Sequence, residues 1–264
     1  MTSPKLVLLW SEEFADHQHG ELSADTWNFD IGDGSEVGLV GWGNNELEYY
    51  IKDAVSIDDD LVIKAKRVDE SSGLNCYYGP AEWTSGKIHT ARKIGFKFGR
   101  LEIQAKMPSG IGTWPALWLL GNSLLEGIAW PHCGEIDILE NTGANPFQVQ
   151  GTIHGDGYCG EAGLTKIIQS GVELSDDFHT YAVSWTENQI EWLFDGQIYN
   201  TLKKSDTDAL GKLWPFNQEF YLIINLAIGG WFAGEVDPKL EQAELHVASI
   251  KYYSSDGVGE LVLH

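Results

Sequence analysis

Three features of the sequence predict an all-β sandwich. They are short alternating runs, a turn dipeptide that closes a hairpin, and one long apolar run suited to a strand covered on both faces. Alternation is clearest in Leu101-Glu102-Ile103-Gln104-Ala105-Lys106-Met107, which Pro108-Ser109-Gly110 closes. The hairpin is read from Ile190-Glu191-Trp192-Leu193-Phe194 and Ile198-Tyr199, which flank Asp195-Gly196, a pair suited to the positive φ angles of a tight turn. Phe220 to Ile228 is apolar except for Asn225.

In chain order, Lys5 to Trp10 reads as the first strand. It is too short for the apolar core of a signal peptide, and Ser11-Glu12-Glu13 offers no cleavage site, so any export signal was never present or has been removed. Leu61 to Ala65, Gly86 to His89 and Tyr181 to Trp185 are further β-prone runs, punctuated by Gly, Asp and Asn. Leu245 to Tyr253 supplies the last strand, and Asp206 to Lys212 is a sparse helical signal worth one short turn. No repeat, low-complexity tract or Pro/Ser linker interrupts the chain, so residues 1–264 are expected to form a single domain. Many short strands in one piece indicate a two-sheet sandwich or jelly roll.

With 39 acidic and 17 basic residues, the formal net charge is −22. Such a chain has nothing to displace counterions from a nucleic acid. An anionic membrane surface or polysaccharide would repel it as well. A neutral partner fits, and a monomer is expected. No run reaches the roughly 18 apolar residues that span a bilayer. The three cysteines, Cys76, Cys133 and Cys159, leave at least one unpaired. Eleven tryptophans suit either an aromatic β core or stacking on the C–H faces of sugars.

The segment Trp130-Pro131-His132-Cys133-Gly134-Glu135-Ile136-Asp137-Ile138-Leu139-Glu140-Asn141 carries the chemistry. In a strand, Glu135 and Asp137 share one face while Ile136 and Ile138 face the core. Glu140 breaks that alternation, and a lone carboxylate in the core is prohibitive. A β-bulge near Ile138-Leu139 absorbs one residue and returns Glu140 to the acidic face. The two glutamates then stand about 13 Å apart at Cα. Leaning inward, their carboxyls meet at around 5 Å, the separation expected of a retaining glycosidase. Mutual repulsion should raise at least one carboxyl pKa, supplying a proton donor beside a nucleophile.

Six stretches in order resemble the laminarinases of glycoside hydrolase family sixteen, from about Leu9 to Tyr253. They are Trp10 to Phe14, Gly41 to Tyr50, Thr113 to Trp118, Gly134 to Glu140, Gly151 to Gly155, and Asn225 to Gly230. The resemblance implies a β-jelly-roll sandwich of two curved antiparallel sheets, with a concave cleft for neutral β-glucan. It implies an endo-β-1,3-glucanase, with Glu135 as nucleophile, Glu140 as general acid/base and Asp137 as electrostatic partner. His154 would sit beside the carboxylates, and Asn44, Trp114, Trp118 and Trp130 would line the cleft. The substrate class implies an extracellular or cell-surface location.

The chain departs from the family pattern at three places. Lys87 stands where members usually carry Arg, and a lysine cannot make a bidentate planar contact. Trp231-Phe232-Ala233-Gly234 replaces a Trp-Pro-Gly, so the sugar-binding aromatic is expected at Trp231, displaced by one. The family's structural calcium site meets Ala248 in place of an Asp, with Asp60 near the position of a glycine. No cofactor or metal is therefore expected. Mixed-linkage β-1,3-1,4-glucan or galactan hydrolysis, transglycosylation, and a non-catalytic glucan-binding module remain alternatives on the same fold.

Overall fold

The computed structural model describes residues 4–16 and 22–264. Two stacked sheets form a β-jelly-roll sandwich. One runs Leu164–Gln169, Gln148–His154, Glu135–Glu140, Thr113–Gly121, Phe220–Ile228, Ile94–Lys97, Glu260–Leu263, with Lys87–His89 also on Phe220–Ile228. The other runs Gln197–Lys203, Gln189–Phe194, His179–Trp185, Gly99–Lys106, Gln242–Ser255, Asp60–Arg67, Trp83–Ser85, Glu48–Tyr50, with Leu6–Glu13 on Gln242–Ser255. Neighbours are antiparallel except Glu48–Tyr50, which lies parallel to Trp83–Ser85.

The core lies between the sheets. Leu101, Ile103, Tyr181, Val183, Trp185 and Trp192 enter it from one side. Leu117, Leu119, Ile136, Ile138, Leu139, Leu222 and Ile224 enter it from the other. Each large apolar side chain so buried contributes about 1.5–3 kcal/mol. As the sequence predicts, all nine residues of Phe220–Ile228 are buried. The face away from the core is covered around Ile223 and Tyr221 by Leu120, Ala91 and Cys133, with Trp118 packed alongside.

The hairpin forms where expected, with φ of 47° at Asp195 and 75° at Gly196, as a turn with both central residues left-handed requires. The helical signal appears slightly earlier, as Lys204–Ala209, where the Asp206 carboxylate accepts the backbone N–H of Lys203. Thr113–Gly121 is a central strand despite Pro115. Toward Glu135–Glu140 the paired register ends at Ala116, opposite Glu140, and Pro115 beyond it only accepts, from the Asn141 N–H at 3.4 Å, so no ladder bond needs the donor it lacks. Among the described residues the cysteines are free; burial pushes the Cys76 and Cys133 thiols up to about 11.

Tyr252 ties the sandwich edge to its core. Its ring is fully buried against Phe96, with centroids 4.9 Å apart. Its hydroxyl accepts the Glu260 N–H at 3.0 Å and lies 2.7 Å from Phe98 O. It also stands 3.0 Å from Lys97 O and from Glu260 O. Tyr252→Phe strands these groups, and we predict a loss of about 1–3 kcal/mol. Calorimetry should show melting lowered by about 2–4 °C for each kcal/mol.

Candidate active site

The strand Glu135–Glu140 departs from a regular ladder at one point. Toward Thr113–Gly121, Asp137 faces Trp118 and Leu139 faces Leu117, so Ile138 has no opposite number. Toward Gln148–His154, Asp137 faces Thr152 and Glu140 faces Gln150, so Gly151 is passed over. The extra residue sits at Ile138-Leu139, where the sequence places it. Ile138 and Leu139 both stay in the core with Ile136, and Glu135, Asp137 and Glu140 take the opposite face.

Each carboxyl has its own partners. Glu135 Oε2 accepts the Trp130 indole N–H at 2.9 Å. His154, paired opposite Glu135, brings Nε2 to 3.7 Å from Glu135 Oε1 and 3.1 Å from Asp137 Oδ2. Glu135, Asp137 and His154 converge to within 4.8 Å of one another. Glu140 accepts the Trp114 indole N–H at 3.1 Å and the Gln150 amide at 3.4 Å.

Burial dominates the acidity of the row. Burial, then the charge of Asp137, lifts Glu135 well above the ordinary carboxylate range, against the opposing pull of His154. Asp137 is lifted by burial and then by the charge of Glu140, and it hydrogen-bonds Glu135. Burial raises Glu140 as well, while His154, Trp114 and Gln150 favour its charge. The row therefore retains protons at a pH where free carboxyls have lost them.

The other residues singled out in the sequence form a second network. Trp118 donates to Asn225 Oδ1 at 2.8 Å, Asn225 Nδ2 donates to the Tyr50 hydroxyl at 3.1 Å, and Tyr50 donates to Glu46 Oε2 at 3.2 Å. Asn44 Nδ2 donates to the other Glu46 oxygen at 2.8 Å. Lys87 pairs with Asp30 at 3.3 Å, and its ammonium lies 4.1 Å from the Trp42 ring centroid and 5.5 Å from that of Trp118. Trp231 is 77% exposed on the single turn Gly230–Ala233. Its backbone N–H reaches Asn44 O at 2.9 Å, and its neighbour Phe232 packs on Trp114.

Glu46, Glu48, Tyr50, Gln150 and Asn225 were not singled out from sequence as site residues. A usable signal was present: Glu46, Glu48 and Tyr50 alternate, which puts two carboxyls and a phenol on one strand face. Glu48 is fully buried, accepts the Ile228 N–H at 2.7 Å through Oε2, and hydrogen-bonds Glu46. Burial, then the charge of Glu46, raises it well above the ordinary range, so Glu48 holds the proton that joins the pair. A carboxyl with a raised folded pKa favours folding most at low pH. That contribution is lost as pH climbs from the unfolded value toward the folded one. Glu48→Gln, which keeps the donor and removes the ionisation, should gain in melting temperature relative to the parent between pH 5 and pH 8. Thermal melts at about those two pH values, bracketing the rise above the ordinary value, check this. An unchanged difference would show Glu48 charged.

A model described as glycosyl hydrolases family 16 matches residues 41–250. A beta-glucanase of Rhodothermus marinus is 37% identical over 262 residues, covering 95% of this chain and 86% of that protein. The glucan endo-1,3-beta-glucosidase A1 of Niallia circulans is 34% identical over 93% of this chain, which spans 37% of that longer protein. Among solved structures, the catalytic domain of an endo-1,3-beta-glucanase (laminarinase) from Thermotoga petrophila RKU-1 matches with a TM-score of 0.89 and 39% identity. That match covers 96% of this chain and 99% of that one. The matched stretch takes in Asn44, the whole acidic row and Asn225, and the chain belongs to glycosyl hydrolase family 16.

Proposed function

We propose that the chain is a retaining endo-β-1,3-glucanase acting on neutral, laminarin-type β-glucan outside the cell. The observation that carries this reading is the bulged acidic row, with an indole N–H on each glutamate. Glu135 is the nucleophile: its oxygen attacks the anomeric carbon as the glycosidic C–O bond breaks. Glu140 gives its proton to the departing sugar oxygen, then takes one from the water that releases the sugar from Glu135. Asp137, between the two, is hydrogen-bonded to Glu135 and tunes the charge of the row. His154 steadies the Glu135–Asp137 pair. Trp130 and Trp114 offer ring faces to uncharged sugars beside the carboxyls they bond. Asn44, Lys87, Trp118 and Trp231 extend that surface. A net charge of −22 is no obstacle to a neutral polymer. A glucan polymer supplied from outside cannot cross a cell membrane, which supports an extracellular or cell-surface location for the chain that digests it.

Fresh laminarin cleavage followed by NMR should show the β-anomer first; initial α-anomer would overturn the mechanism. Glu135→Gln should be folded and almost inactive, and Glu140→Gln should lose about 10²–10⁴-fold in kcat. Product analysis on laminarin, mixed-linkage glucan and cellulose sets the linkage preference; equal cleavage of mixed-linkage glucan would widen the substrate class.

We also propose that folding needs no calcium at the position its family relatives use. Ala248 has no side-chain ligand to offer, and the Asp60 carboxylate lies 2.9 Å from His246 Nδ1, whose other nitrogen is 3.3 Å from Glu244. A carboxylate engaged by a histidine fits a hard cation poorly. EDTA should leave the melting temperature unchanged; a fall of many degrees, restored by calcium, would refute this.

A further inference from the structure

The carbonyl of Asp137 stands immediately before the bulge, and the opposite sheet reaches it. Trp192, on Gln189–Phe194, is fully buried and donates its indole N–H to Asp137 O at 2.8 Å. Gly151 makes this approach possible. It is the residue passed over between Thr152 and Gln150, directly across from the bulge. A Cβ there would stand 2.4 Å from Trp192 Cδ1, 2.6 Å from Trp192 Nε1 and 2.6 Å from the Tyr199 hydroxyl. All three are closer than real Cβ contacts, and the buried indole has little room to retreat.

Glu135 and Asp137 lie on the regular part of the strand, held by pairing with His154 and Thr152. Glu140 lies beyond the irregularity. Its direction depends on where the additional residue is taken up, because a slip of one position turns a side chain to the other face. A buried carbonyl seeks a donor, so a donor fixed from outside the ladder defines where the regular strand stops. We propose that Trp192 and Gly151 are positioning residues for Glu140, the indole N–H pinning the bulge from the far sheet and the glycine leaving it space. This rests on Glu140 being the acid/base.

Trp192→Phe keeps a ring in the core and removes the N–H. Its kcat on laminari-oligosaccharides should fall about 10–100-fold, the scale expected when a catalytic group is misplaced by about 1 Å, with KM little changed. A dinitrophenyl glycoside, whose leaving group needs no proton, should still give a normal first-turnover burst. Gly151→Ala should show the same pattern, and the double variant should be no worse than the poorer single one, since both act through one hydrogen bond. A normal kcat in Trp192→Phe, equal losses on both substrates, or additive losses would each overturn the proposal. Glu140→Ala separates the premise from the inference. Loss of its burst on the aryl substrate refutes the acid role itself. A preserved burst beside a fully active Trp192→Phe refutes the positioning alone.

Discussion

Everything in the active row follows from one constraint: a strand has two faces, and carboxylates cannot share the one that meets the core. Residues 135 to 140 contain three acids and three large apolar side chains, yet strict alternation would put Glu140 among Leu117, Leu119 and Val149. Burying an unpaired charge there is far costlier than breaking a ladder for one step. The chain takes the break, Ile138 and Leu139 go inside together, and the acids face the cleft as one row. The indole and amide donors then have something to converge upon.

The same economy of charge operates beneath the cleft. Glu46 and Glu48 are buried side by side, a poor arrangement for two anions and a good one for an acid joined to a carboxylate. The shared proton leaves Glu46 free to accept from both Asn44 and Tyr50. Tyr50 and Asn225 carry the chain of bonds to Trp118. Lys87, held by Asp30 and set against two indoles, brings a fixed positive charge to this network. The lysine that replaces the expected arginine thus serves as a point charge between aromatic faces, a role its compact ammonium can fill.

Local periodicity made much of this legible. The hairpin at Asp195-Gly196, the all-buried strand Phe220–Ile228 and the bulge at Ile138-Leu139 each follow from a few adjacent residues, because turn chemistry and face alternation are short-range. Thr113–Gly121 has no such short-range signal: Pro115 argues against a central strand, and it is accommodated because it only accepts a bond, from the Asn141 N–H, where the paired register has ended at Ala116. The parallel pairing of Glu48–Tyr50 with Trp83–Ser85 has no local signature either. Contacts such as Asn225 to Tyr50 and Ile228 to Glu48 span 175 and 180 residues, and no spacing rule reaches that far. Trp130 could be placed near the acids by its position just before Glu135, and Trp114 only by the resemblance to the family. That each indole would donate to a particular glutamate required the three-dimensional register.

The bond from Trp192 to Asp137 also changes what counts as remote in this molecule. The hairpin that carries Trp192, Gln189–Phe194 with Gln197–Lys203, ends the far sheet and exposes much of its last strand. It would look like a safe handle for fusing a partner or tethering the protein to a solid support. Strain applied there has a direct route through a rigid indole to the backbone between the two glutamates. Attachment at Leu6–Glu13, which joins the same sheet through Gln242–Ser255 and not through that hairpin, would leave the route unloaded.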